Sequence, residues 1–189
     1  MSKGSVLAIL GGPHKNGMTA SMLDISVKAA ENAGYSVKRA DLYDMNIDFC
    51  KGCNVCNTTG TCIVEDDIQD IAESLKKCDI IILAAPVYWA NVPAAVKNLF
   101  DRLTGTAMEK TSGFPKARLA GKKYIILTSC DTPAPFSWIF GQSRGAIRAM
   151  DEFFKTAGMT PLQKVVVSGR PNKTGVPENI VRKLEGCWR

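Results

Sequence analysis

Four cysteines fall within thirteen residues: Cys50-Lys51-Gly52-Cys53-Asn54-Val55-Cys56, then Cys62, a C-x2-C-x2-C-x5-C spacing. Thiolates are soft ligands, and four on one flexible loop can wrap an iron-sulfur cluster or hold zinc. Zinc is the poorer match, because it usually joins two separated ligand pairs. Free thiols or a dithiol are the remaining chemistry open to such a loop. The chain has seven cysteines, an odd count, and Met1-Ser2-Lys3-Gly4-Ser5 runs straight into an apolar segment too short for a signal-peptide core. A cytoplasmic, reducing setting is therefore expected, in which the cysteines serve metal or redox chemistry and not a disulfide framework. Cys78, Cys130 and Cys187 stand apart and read as small hydrophobes, with Cys130 an exception taken up below.

Two further segments carry candidate chemistry. Gly11-Gly12-Pro13-His14-Lys15-Asn16-Gly17-Met18-Thr19 joins an apolar run to a helical pattern. Backbone amides there would face an anion at the positive end of a helix dipole. Gly12, Gly17 and Thr19 have the spacing of a nucleotide-binding P-loop, but Met18 occupies the position of its essential lysine, which argues against ATP hydrolysis. The segment is not a dinucleotide GxGxxG either, so a monophosphate is the ligand that fits. His14, the one histidine, sits in this loop as a phosphate contact or a solvated side chain. The second segment, Pro86-Val87-Tyr88-Trp89-Ala90-Asn91, combines a fixed backbone with aromatic surface suited to a flat heterocycle.

These loops need a scaffold, and the hydrophobic pattern supplies one. Continuous apolar runs at residues 6–10, 80–85, 124–127 and 165–167 suit parallel strands buried on both faces. A more polar strand, residues 36–42, belongs at a sheet edge. Between them apolar residues recur at helical spacing, as in Ile68, Ile71, Ala72 and Leu75, or Val96, Leu99, Phe100 and Leu103. Asp66 and Asp67 open one helix, Lys76 and Lys77 close it, and Gly34 and Gly158 occupy C-cap positions. The expectation is one α/β domain over residues 1–189: a doubly wound five-stranded parallel sheet, order 2-1-3-4-5, with helices on both faces. Its ligand crevice lies beyond the carboxyl ends of the first and third strands. Long connections at residues 43–65, 104–121 and 130–142 are expected to be functional. The first carries the cysteine-rich insertion at about 48–64.

At the two loops the chain resembles the flavodoxin-like NAD(P)H-dependent FMN reductase family, through the segment PVYWANVPAAVKNLFDR, residues 86–102. The resemblance implies that Gly11, Gly12, Pro13, His14, Gly17, Met18 and Thr19 hold the FMN phosphate. It implies that Pro86, Val87, Tyr88, Trp89 and Asn91 border the isoalloxazine, with Thr128, Ser129 and Cys130, after the fourth strand, as a third contact. Relatives usually read GSPRxxGNT, whereas this chain places Gly12, His14 and Met18 at the serine, arginine and asparagine positions. Fewer side-chain contacts to phosphate follow. The cysteine spacing, with Glu65-Asp66-Asp67 just after it, resembles the compact motif of the iron-sulfur flavoprotein branch. That implies Cys50, Cys53, Cys56 and Cys62 as ligands of a 4Fe-4S cluster exchanging electrons with FMN. Cluster-free members carry a similar C-x-G-C-x-x-C loop, so that alternative stands beside it.

The expected function is an FMN-dependent oxidoreductase passing electrons from NAD(P)H or a ferredoxin-type donor to an acceptor. The alternatives are a cluster-free FMN/quinone reductase, a non-enzymatic electron carrier, or a zinc or redox sensor. Lys and Arg exceed Asp and Glu by 24 to 18. That balance argues against an acidic flavodoxin-type carrier and, with no basic block, does not point to nucleic acid. No apolar run approaches the ~20 residues of a membrane helix, so no membrane partner is expected. Asp131 to Phe140 is too apolar for a free surface loop; it is expected to cover the flavin or pack on a second subunit of a homodimer or homotetramer.

Overall fold

The computed structural model describes residues 2–169 and 175–188; the end residues of the expected 1–189 domain lie outside it. Its main sheet is built from β1 (Gly4–Leu10), β2 (Tyr35–Asp41), β3 (Ile80–Ala84), β6 (Lys123–Cys130) and β7 (Thr160–Ser168). All neighbours are parallel, in the order β2-β1-β3-β6-β7, which is the expected 2-1-3-4-5 arrangement. A two-residue antiparallel pair, β4 (Met108–Glu109) and β5 (Lys116–Ala117), lies within the second long connection of the chain.

The strand alternation explains why both faces are covered. Leu7, Ile9, Ile81, Leu83, Tyr124 and Ile126 point to one side and pack with α3 (Ile68–Lys77), α4 (Ala94–Arg102) and α7 (Gln142–Thr156). Val6, Ala8, Leu10, Ile80, Ile82, Ile125 and Leu127 point to the other, under α1 (Met18–Asn32) and α8 (Glu178–Gly186). Each buried aliphatic side chain contributes about 1.5–3 kcal/mol, so the three central strands dominate the core. The polar edge strand β2 exposes Lys38 and Arg39, as its composition requires. Gly34 and Gly158 follow helix C-caps with φ of +90° and +83°, the left-handed values that favour glycine.

Two boundaries differ from the sequence expectation. Thr128, Ser129 and Cys130 are not beyond the fourth main strand; they are its last three residues, paired with Val166, Val167 and Ser168. Their pairing extends the ladder past the apolar run, because hydrogen bonding to β7 does not depend on side-chain hydrophobicity. The strand β7 likewise starts at Thr160, through Pro161 and Gln163, which a sheet edge tolerates. The long connections are also partly ordered: α2 (Cys56–Thr59), α5 (Thr104–Ala107) and α6 (Phe136–Ile139) lie in them.

Candidate functional site

Three connections converge at the carboxyl edge of β1, β3 and β6. The Gly11 amide donates to the Ala84 carbonyl (2.7 Å), the Ala85 amide to Leu127 (3.0 Å) and the Val87 amide to Ser129 (2.9 Å), so each loop leaves its strand tied to the next. A Cβ on Gly12 would lie 2.9 Å from Cδ of Pro86, and one on Gly11 would lie 2.2 Å from Cγ2 of Val96. The glycines are what allow the loop after β1 to lie against the loop after β3 and the helix α4. Gly17 is the N-cap of α1 and offers no side chain, so the amides of the first turn have no side-chain cap. Thr19 is buried at that end, whereas His14, Lys15 and Asn16 are exposed. Met18 packs its side chain against the core cluster beneath α1, so what it can offer a phosphate is its backbone amide.

The loop after β3 forms a tight turn. Tyr88 and Asn91 exchange backbone hydrogen bonds of 2.8 and 3.0 Å across Trp89 and Ala90, whose φ angles are +52° and +57°. Two consecutive non-glycine residues in the left-handed region mark a primed turn under strain of about 1–3 kcal/mol each. Trp89 is 100% exposed at its tip. Strain that presents a fully solvated indole serves no packing purpose, and such strain clusters at ligand clamps. Pro86 to Ala90 and Ser129 to Thr132, with Gln142, line a cavity of about 290 Å³. Cys130 faces it, its thiol 3.9 Å from the Gln142 side-chain oxygen. The Thr128 hydroxyl is fully buried and finds no hydrogen-bond partner among the described residues.

The cysteine loop carries four free thiols. It is fastened at both ends to α4. The Cys50 amide donates to Asn98 Oδ1 (3.2 Å), and Asn98 Nδ2 donates to the Asp48 carbonyl (3.1 Å). Arg102, one turn further on, donates through Nη1 to Asp48 O (2.5 Å) and Asp66 Oδ2 (2.8 Å). Its Nη2 reaches Val64 O and Asp66 Oδ1, both at 3.0 Å, and its Nε reaches Cys62 Sγ (3.2 Å). The Arg102 side chain is fully buried and Asp66 nearly so. Burial alone would raise the Asp66 carboxyl, but Arg102 and the amides of Ile68 and Asp48 hold it below its ordinary value. Between the fastened ends, α2 rests on α5 so closely that a Cβ on Gly105 would meet the Cys56 carbonyl oxygen at 2.2 Å.

The structure therefore brings Pro86, Val87, Tyr88, Trp89, Ser129 and Cys130 to one cavity and packs Gly11 and Gly12 beside it, while Asn91 and Thr128 are not among the residues that line it. It does not gather the thiols: among the described residues no three Cys, His, Asp or Glu side chains stand where they could share a metal. Sequence reasoning missed Asn98 and Arg102. Asp66, read there as a helix opener, does accept from the Ile68 amide (3.0 Å), but its main partner is Arg102.

A parallel five-stranded sheet in the order 2-1-3-4-5, with helices on both faces, defines a doubly wound α/β protein. The family described by a flavodoxin-like fold matches residues 4–186, and the chain belongs to it. An iron-sulfur flavoprotein of Archaeoglobus fulgidus is 37% identical over 97 residues, which span 51% of this chain and 44% of that protein. The chain spans about half the length of the curated relatives it matches. Among solved structures, the NAD(P)H:quinone oxidoreductase from Methanothermobacter marburgensis superposes with a TM-score of 0.81 at 16% identity, covering 100% of this chain and 98% of that one. An FMN-dependent NADH-azoreductase from Bacillus anthracis, solved in complex with FMN, gives 0.77 at 13%, covering 97% of each. Both show the fold.

Proposed function

We propose that the chain is an FMN-dependent oxidoreductase that takes electrons from a reduced donor, NAD(P)H or a ferredoxin-type protein, and passes them to an acceptor. The observation that carries this reading is the cavity between the strained turn after β3 and the end of β6, with the Gly11–Gly12 backbone packed against Pro86 at the same sheet edge. The residues fit FMN. The uncapped first turn of α1 offers amides to a phosphate, with Thr19 beside them. The Thr128 hydroxyl, buried near the end of β6, has no hydrogen-bond partner among the described residues. Bound there, the flavin supplies hydride and single-electron transfer at its ring. The first-turn amides of α1 would hold the phosphate, and Pro86 to Ala90 with Ser129 and Cys130 would border the ring.

The cysteine loop is read as a second redox centre, a 4Fe-4S cluster on Cys50, Cys53, Cys56 and Cys62. Its support is the donor set of four free thiols and the names of relatives matched over half the chain. A cluster-free FMN/quinone reductase is favoured by one observation, the separation of the thiols. An absorption spectrum of anaerobically purified protein, with iron and sulfide analysis, decides. Flavin bands with about four irons per chain support the cluster. Flavin without iron selects the cluster-free reductase, and no flavin refutes both.

All seven cysteines are free, which fits a reducing, cytoplasmic setting. No helix among the described residues is long and apolar enough to cross a membrane. Phe136, Trp138, Ile139 and Phe140 are more than half exposed, and this supports a homodimer or homotetramer that buries α6. Sedimentation tests it: a monomer would leave that surface unexplained.

A further inference from the structure

The cavity between the strained turn and the end of β6 takes one of its lining residues from a helix: Gln142, the first residue of α7. The first turn of that helix is pinned from two directions. Gly145 lies so close to the strained turn that a Cβ would meet the Ala90 carbonyl oxygen at 2.0 Å. Ser143, which is buried, donates to Ser137 Oγ (3.4 Å), and Ser137 is paired in turn with Ser168 Oγ (2.8 Å) at the end of β7. Gln142 therefore leaves a rigid backbone, and its half-buried side chain is turned by the Cys130 thiol, which donates to Oε1 across 3.9 Å. A carboxamide offers an acceptor at one end and two N–H donors at the other. With the oxygen toward the thiol, Nε2 is left with no hydrogen-bond partner among the described residues.

We infer that Gln142 donates from Nε2 to the polar half of a bound isoalloxazine, and that Cys130 is the positioning residue that turns the carboxamide so that this donor is free for the ring. The inference rests on the reading of the crevice as an FMN site. Ring nitrogens and carbonyl oxygens are the acceptors an isoalloxazine offers, so a donor on this wall selects which half of the ring lies toward α7. The donor also distinguishes the two oxidation states. Reduction of the ring by two electrons and one proton leaves one negative charge on it, and hydrogen bonds to charged groups are about twice as strong as neutral ones. Gln142 therefore favours the reduced flavin and raises its midpoint potential.

The full chain, loaded with FMN, is titrated with dithionite against a reference dye at mildly alkaline pH without oxygen, and the two-electron midpoint is read from absorbance. Four proteins form a cycle: wild type, Q142M, C130A and Q142M/C130A. Methionine keeps the length of the side chain and removes the donor without adding charge. Gln142→Met should weaken binding of the reduced flavin about tenfold more than that of the oxidised one, which lowers the midpoint by about 30 mV. Cys130→Ala should shift it the same way by about threefold, or about 15 mV. In the Q142M background the same change should have less than about a twofold effect, under about 10 mV, because the carboxamide through which it acts is gone. An unchanged or raised midpoint in Q142M overturns the donor, and a full C130A shift in the Q142M background overturns the positioning role. Should Q142M lose one-to-one binding of oxidised FMN through misfolding, Q142A, which cannot overpack the wall, takes its place in the cycle with the same expected signs. Wild-type protein that binds no FMN refutes the flavin reading itself and the inference with it, an outcome distinct from a bound flavin whose potential ignores position 142.

Discussion

Gly145 offers a test of how the ring-side turn is held. It lies in the first turn of α7, and a Cβ there would stand 2.0 Å from the Ala90 carbonyl oxygen and 3.1 Å from the Ala90 carbonyl carbon, where ordinary contact begins at 3.4 Å. The obstacle is backbone, not the tip of a flexible side chain, so either α7 or the Tyr88–Asn91 turn has to move in Gly145→Ala. In an unobstructed helix the change would stabilise by about 1 kcal/mol. Overpacking opposes it by about 1–3 kcal/mol, leaving a net stability loss between about 0 and 2 kcal/mol. The ligand should feel more than the fold does. The displaced turn carries Tyr88 and Trp89, and a misplacement of about 1 Å at a site can cost on the order of a hundredfold. FMN affinity, measured by quenching of flavin fluorescence, is expected to fall about 10–100-fold, with a small drop in melting temperature. A variant that gains about 1 kcal/mol and binds FMN as before would refute the argument that Ala90 rests on this glycine.

Relieving the turn has the opposite sign for stability. Trp89→Gly removes a fully exposed indole from a left-handed position, so it should raise stability by about 1 kcal/mol in thermal melts while weakening flavin binding; a destabilised variant would contradict the strain. Burial disfavours the Asp151 carboxylate, but hydrogen bonds from Lys155, Lys164 and Tyr124 outweigh it and hold its pKa at about 2. Its contribution, on the order of 2 kcal/mol, is complete above the usual carboxylate range and lost as pH falls from about 4 to 2. Asp151→Asn should flatten the stability profile in that window, and an unchanged acid limb would count against the network. Burial, only partly offset by Lys122, pushes the Cys78 thiol up to about 11. Iodoacetamide near neutral pH should therefore label the exposed Cys50 and Cys53 first and Cys78 last, as read by peptide mass spectrometry.

The parts of the fold that were legible are those in which local chemistry and global position agree. The runs at 6–10 and 80–85 are apolar throughout because β1 and β3 are covered on both faces. Gly34 and Gly158 stop helices for a reason local to their own backbone. Thr128 to Cys130 were misplaced because a hydroxyl-rich strand end looks like a loop until its partner strand is known. Asn98 and Arg102 were illegible for a longer-range reason. Four apart on one helix, they look like surface polar residues, and their partners lie 36 to 54 residues away, from Asp48 and Cys50 to Cys62, Val64 and Asp66. One signal was available: an acid buried just after a cysteine loop needs a cation beside it, and Arg102 was one of two cations inside the segment already singled out.

The central claim is that the loop opening α1 holds a phosphate while the other two loops hold the ring. Parallel titrations of flavin-free protein with FMN and with riboflavin, which has the same ring and no phosphate, test this directly. Charge-assisted hydrogen bonds contribute about 1.5–3 kcal/mol each, so FMN should bind with one-to-one stoichiometry and at least about tenfold more tightly than riboflavin. Equal affinity for the two would mean that Gly11 to Thr19 hold no phosphate, and binding of neither would contradict the account of the crevice as a flavin site.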